Sequence, residues 1–118
     1  MSDRDPPKPN SPSAFSFEVV VQHMRIHHPG CPKKTRLTIA ARVSARDWKG
    51  SKLGAAVGIE LQKYIRHSWT DYDELLRSKM MTREEARAFI APQVQEILRA
   101  WRKPGVKLRL ARHGGKFT

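Results

Sequence analysis

Residues 61–101 read LQKYIRHSWTDYDELLRSKMMTREEARAFIAPQVQEILRAW and hold the densest order in the chain. Thr82 followed by Glu85 matches the S/T-x-x-E capping box, in which a hydroxyl and a carboxylate each satisfy one orphan amide of a first helical turn. Behind that box Ala86, Ile90, Val94, Ile97 and Trp101 recur every three or four residues, the spacing of a single apolar stripe. Pro92 interrupts the stripe, removing one N–H and crowding the carbonyl four residues back, so a kink and not a stop is expected there. Upstream, Thr70 offers a hydroxyl cap, and Asp71 and Asp73 put negative charge where a helix N-terminus favours it. A shorter helix therefore starts near Thr70. Before it, Ser51 caps another helix with Leu53, Val57, Leu61, Tyr64 and Ile65 on one side. Gly54 and Gly58 weaken that helix, which is tolerable if they admit a second helix at close range.

The ordered set Arg66, His67, Thr70, Tyr72, Asp73, Leu75 and Leu76, then Arg83, Ala86 and Arg87, resembles the signature R-H-x-x-T-x-Y-D-x-L-L and R-x-x-A-R. That signature belongs to a family of bacterial and fungal domains, domain of unknown function 2293. The likeness extends upstream through His28, Pro29 and Gly30 to Ser51, Lys52, Leu53 and Gly54, where the family tends towards S-G-R-V-G-R. The resemblance implies a compact domain over roughly two thirds of the chain and implies no chemistry, since fold and function separate easily. The motif residues read as structural. His67 closes the third helix, Asp71 and Asp73 cap the fourth, and Tyr72 buries its ring with its hydroxyl on a partner.

The 118 residues suffice for one core and are too few for two comfortable ones. A formal charge of +12 and an isoelectric point near 10.6 favour a polyanionic partner. One cysteine excludes an intramolecular disulfide, and no apolar run reaches membrane-spanning length, so an intracellular setting (cytoplasm and nucleoid, or nucleus) is expected. Residues 1–12 are rich in proline and poor in apolar side chains, which suits a disordered arm before a helical domain at 13–103 and a basic tail at 104–118.

Ser11 and Pro12 suit the start of a first helix in which Phe17, Val20 or Val21, Met24 and His28 share a face, and Pro29-Gly30 ends it. His23, His27, His28 and Cys31 form the one metal-like constellation. Structural zinc needs four ligands in a closed set, so His67 or His113 would have to fold in, and the plainer expectation is solvated histidines, a small buried cysteine and no metal.

A second helix over 34–48 places Leu37, Ala40, Ala41, Ser44 and Trp48 inward. Arg42, Arg46 and Lys49 then fall on the outward strip at helical spacing, extended by Thr35 and Thr38. Lys33, Lys34, Arg36 and Lys52 add to a block whose single acid between 25 and 52 is Asp47. A second block, Arg99, Arg102, Lys103, Lys107, Arg109 and Arg112, contains no acid, and its alternation of apolar and basic residues after Pro104-Gly105 suggests an extended arm. Between the two blocks the chain is near neutral, a separation that favours phosphate contacts over solubilising charge.

Catalysis finds little support. His67, Asp71, Tyr72 and Asp73 cluster in sequence, but no nucleophile, glycine-rich phosphate loop or paired carboxylates accompany them. The opening PKPNSPSAFSF, with a later HPG and a Trp, faintly resembles the start of HMG-box domains, a weak pointer to DNA. The expectation is thus an all-α, single-domain bundle of about five helices with flexible basic ends. It needs no cofactor, does not enter a membrane, and binds nucleic acid, DNA before RNA, mainly through phosphates. The alternative is an assembly module whose basic blocks meet an acidic protein surface, with a metal-dependent enzyme a distant third.

Overall fold

The capping box forms as its sequence requires. In the computed structural model, which describes residues 15–104, Glu85 N–H donates to Thr82 Oγ1 at 3.1 Å and Thr82 N–H to Glu85 Oε1 at 2.9 Å. It opens the last of five helices: α1 (Phe17–His27), α2 (Lys33–Ser44), α3 (Leu53–Ser68), α4 (Tyr72–Arg77) and α5 (Arg83–Trp101). The described residues contain no strand, so the fold is all-α. Along α5 the stripe Ala86, Ile90, Val94, Ile97 and Trp101 is buried together with Leu98, and the helix runs through Pro92 without ending.

α3 is the hub. It buries Ala56, Val57, Leu61 and Ile65 and packs against all four other helices. α1 lies mainly on α2 through Val20 and Met24, while α4 lies on α5. The core is continuous across all these contacts and includes Ile39, Val43, Trp48, Tyr72 and Trp101.

Four boundaries differ from the sequence expectation. α1 starts at Phe17, not near Ser11, because Ser16 Oγ accepts Val19 N–H at 3.1 Å and Glu18 supplies negative charge in the first turn. Ser11 and Pro12 lie outside the described residues, as do Met1, the rest of the arm and everything after Pro104. α3 starts with Lys52 as its N-cap and no side-chain cap, and Ser51 instead donates its N–H to Trp48 carbonyl at 2.9 Å. α4 starts at Tyr72. Thr70 sits before it, donating to the Arg66 carbonyl at 2.5 Å and accepting Tyr72 N–H at 3.1 Å, so it staples the end of α3 to the start of α4.

The fourth difference alters the site. α2 ends at Ser44, well short of Trp48, where the Val43 carbonyl accepts both Arg46 N–H at 3.3 Å and the Trp48 indole N–H at 2.9 Å. Asp47 Oδ1 accepts Lys49 N–H at 2.9 Å, folding the chain into a turn at which Lys49 and Gly50 take φ of 46° and 87°. The inward face is also rotated. Thr35, Ile39, Ala40 and Val43 are buried, whereas Leu37 and Ala41 are exposed, since the two β-branched residues at helical spacing supply more apolar surface than Ala41 and Ser44.

The α3 glycines admit no neighbouring helix. No heavy atom beyond its own helix backbone stands within 4 Å of where a Gly58 Cβ would lie, and at Gly54 only the His23 ring does, at 3.9 Å. The close approach is at Gly30. Its N–H donates to Trp101 carbonyl at 2.8 Å, and a Cβ there would meet the Lys103 carbonyl oxygen at 2.5 Å. Backbone on both sides cannot yield as a flexible side chain would, so Gly30→Ala should destabilise by about 2 kcal/mol or more, as overpacking does. Chemical denaturation reads this directly; a wild-type midpoint would show that the contact is loose.

Candidate nucleic-acid interface

The Gly30 contact joins the α1–α2 loop to the end of α5. Lys33 and Lys34 follow that loop and are exposed in the first turn of α2, and Arg99, Arg102 and Lys103 are exposed around the last turn of α5. α2 has Pro32 at its N-cap, no side-chain cap and no acid in its first turn. Its free amides and the positive end of its dipole therefore point out beside two lysines, an arrangement that favours an anion. At the α5 end Glu96 shares a shallow depression with Arg99 and Lys103, so that group is not wholly basic.

The basic strip expected along α2 does not exist, because Arg46 and Lys49 lie beyond the helix. Arg46 Nη1 is 2.7 Å from Glu60 Oε2, whose side chain is only 3% exposed, and the guanidinium carbon stands 3.9 Å from the Trp48 ring centroid. Lys63 lies 3.8 Å from the same carboxylate. A buried carboxylate without a cation would be costly, so Arg46 stabilises the α2–α3 junction. Arg36 is half-buried, with Nη1 donating to Cys31 carbonyl at 3.4 Å. Arg42 remains exposed over the Tyr64 ring at 5.7 Å, and Lys49 and Lys52 are exposed on the α2–α3 turn. Thr35 is buried and Thr38 bonds back to the Lys34 carbonyl, which removes both from any outward strip. Lys107, Arg109 and Arg112 lie outside the described residues, as does His113.

His23, His27 and His28 do converge. The rings of His23 and His27 lie 4.5 Å apart and those of His23 and His28 6.2 Å. Burial, reinforced by the neighbouring histidine His27, lowers the pKa of His23. Burial together with His23, Arg102 and His27 lowers that of His28 to about 4. Cys31 is buried against the Pro32 carbonyl at 3.6 Å, and desolvation raises its thiol to about 12, far from the thiolate a metal needs. Among the described residues no group of three or more histidine, cysteine or acidic side chains is set to hold a metal ion.

Beside these rings a groove of about 590 Å³ opens between α1, α3 and α5, with Gly54, Gly58, Leu61, Gln62, Leu98 and Arg102 completing its lining. No sequence motif announces it. Its one local sign in the sequence is the pair of helix-weakening glycines, Gly54 and Gly58, whose spacing equally suits helix packing.

At the α3–α4 corner His67 Nδ1 lies 2.7 Å from Asp73 Oδ1, and the His67 ring meets buried Tyr72 edge-on at 5.2 Å. The Arg66 guanidinium stands 5.4 Å from the Tyr72 ring, and Asp71 takes the N-cap position of α4 without a side-chain cap bond. Arg83 and Arg87 are exposed on the first turns of α5.

A family model described as an uncharacterized conserved protein (DUF2293) matches residues 23–102, well over half of the chain. The chain belongs to that family. The DUF2293 match takes in the histidine groove, both sides of the Gly30–Trp101 contact and the α3–α4 corner with Arg66, His67, Thr70, Tyr72 and Asp73. No curated protein and no solved structure matches the chain. No helix among the described residues is long and apolar enough to cross a membrane.

Two outcomes follow from this geometry. Arg46→Ala should cost about 1–3 kcal/mol by leaving the buried Glu60 carboxylate with only the more distant Lys63, while Lys49→Ala should stay within about 0.5 kcal/mol, as surface changes do; equal midpoints in urea would refute the difference. His28 has a folded pKa near 4 against an ordinary 6.5, so the unfolded chain takes up the proton first on acidification. Its contribution to stability is complete above pH 6.5 and falls away as pH drops towards 4. His28→Gln should flatten that part of a stability–pH curve measured by thermal melting.

Proposed function

We propose that this DUF2293 protein binds nucleic acid, duplex DNA foremost, through phosphate contacts made by the start of α2 and the end of α5. The observation that carries the reading is the uncapped N-terminus of α2 with Lys33 and Lys34 on it. Two like charges at the positive end of a helix dipole destabilise the free protein, and a phosphate there relieves both terms. The Gly30–Trp101 bond joins this turn to the one bearing Arg99, Arg102 and Lys103. Arg42, Lys49 and Lys52 are exposed towards the other end of α2, and Arg36 and Arg46 each give part of their donor capacity to acceptors within the chain, Arg46 with its side chain still 50% exposed. Such a protein would work where nucleic acid is, in cytoplasm and nucleoid or in a nucleus.

Fluorescence anisotropy with a labelled duplex at several salt concentrations tests this. Log affinity should fall linearly with log salt, by about 0.9 for each phosphate neutralised, and Lys33→Ala with Lys34→Ala should reduce that slope by about 1–2. Arg46→Ala, assayed on its folded fraction, should leave the slope unchanged. A wild-type protein without salt-dependent binding to DNA or RNA would defeat the reading, and an acidic protein surface would become the partner to seek.

A further inference from the structure

We infer that the groove between α1, α3 and α5 takes an unstacked base of single-stranded nucleic acid, an inference that rests on the nucleic-acid reading above. Glycine weakens a helix, and α3 carries two, one turn apart, on the side facing the groove. Among the described residues the packing makes no use of the space they leave, because beyond the helix's own backbone only the edge of His23 comes within 4 Å of either missing Cβ. That space is part of a groove of about 590 Å³, within the range of small-molecule sites of about 300–1,000 Å³ and so sufficient for a base with its sugar.

The lining fits a base better than an ion or a helix. His23 and His27 offer two ring faces beside the groove. Ile26, 68% exposed, adds apolar surface that no part of the described chain covers. Burial and mutual repulsion favour uncharged His23 and His28, so at neutral pH these rings behave as aromatic surfaces with one N–H and one acceptor nitrogen. Neutral imidazoles attract a free phosphate weakly, but they stack on bases as aromatic side chains do. Gln62 presents an amide with both donor and acceptor for a base edge, and Arg102 at the rim supplies the cation for the adjoining phosphate. A duplex keeps its bases stacked and cannot fill the groove without extruding one.

The test compares a short adenine-rich single strand carrying one 2-aminopurine with a duplex of the same length. Wild type should change the 2-aminopurine emission and hold the single strand. Gly58→Leu should abolish the emission change and weaken single-strand binding about tenfold, within the range that loss of one stacked base produces. Leucine is a good helix former and Gly58 has open space around it, so the variant's melting temperature should not fall and lost binding cannot be ascribed to unfolding. His27→Ala, at an exposed position, should weaken the single strand in the same direction while leaving the duplex salt slope as it was. Wild-type single-strand binding by Gly58→Leu, or an unchanged emission in wild type, would overturn the base site while leaving the phosphate reading intact. Absence of binding to either strand form would overturn both.

Discussion

Gly30 lies so close to the end of α5 that only a hydrogen fits between its Cα and the Lys103 carbonyl, and its N–H donates to the Trp101 carbonyl at 2.8 Å. That carbonyl is one of the last four in α5 and has no partner within the helix, so the loop supplies what the helix lacks. Trp101 is fully buried and meets Trp69, the C-cap of α3, edge-on at 5.4 Å. Three joints that are remote in sequence are thereby fixed together: the α1–α2 loop, the α3–α4 corner and the end of α5. The indole N–H of Trp101 has no hydrogen-bond partner among the described residues. A buried donor left unpaired costs about 1–3 kcal/mol, so at this point the fold favours the bulk of the ring over its polar atom.

How much of this was legible depended on how local the cause was. The capping box and the α5 stripe are set by residues within a few turns of one another, and Thr82, Glu85, Ala86, Ile90, Val94, Ile97 and Trp101 behave as the period requires. The end of α2 was not legible, because Trp48 continues the helical spacing and only the folded chain shows its indole capping Val43. The inward face of α2 was misassigned for a related reason. Thr35 reads as polar and outward by type, yet it is 3% exposed below Ile39 and Val43. The histidine groove has three walls from three helices, and nothing in a one-dimensional pattern brings His23, Gly58 and Arg102 together.

The charge count carries the same lesson in electrostatic form. A net +12 treats every cation as available to a partner, but Arg46 is held by Glu60 and Trp48, Lys63 approaches the same carboxylate, and Arg36 is bound to the Cys31 carbonyl. These groups are used in joining α2 to α3 and in closing the α1–α2 loop. Composition thus sets an upper bound on the positive charge open to solvent, and the acceptors within the fold decide how much of it is already engaged.

What remains after that subtraction is unevenly placed with respect to the helix dipoles. Arg99 and Arg102 sit at the C-terminus of α5, where positive charge is stabilising, and need no ligand to account for them. Lys33 and Lys34 sit at an N-terminus, where the same charge is destabilising, and no acid in the first turn offsets it. A sequence selected for stability alone would place serine, aspartate or glutamate there, as this chain does at Ser16 and Thr82. The departure at α2 is a local conflict between side-chain charge and helix dipole. It falls at the start of the helix that follows the Gly30 contact with the end of α5.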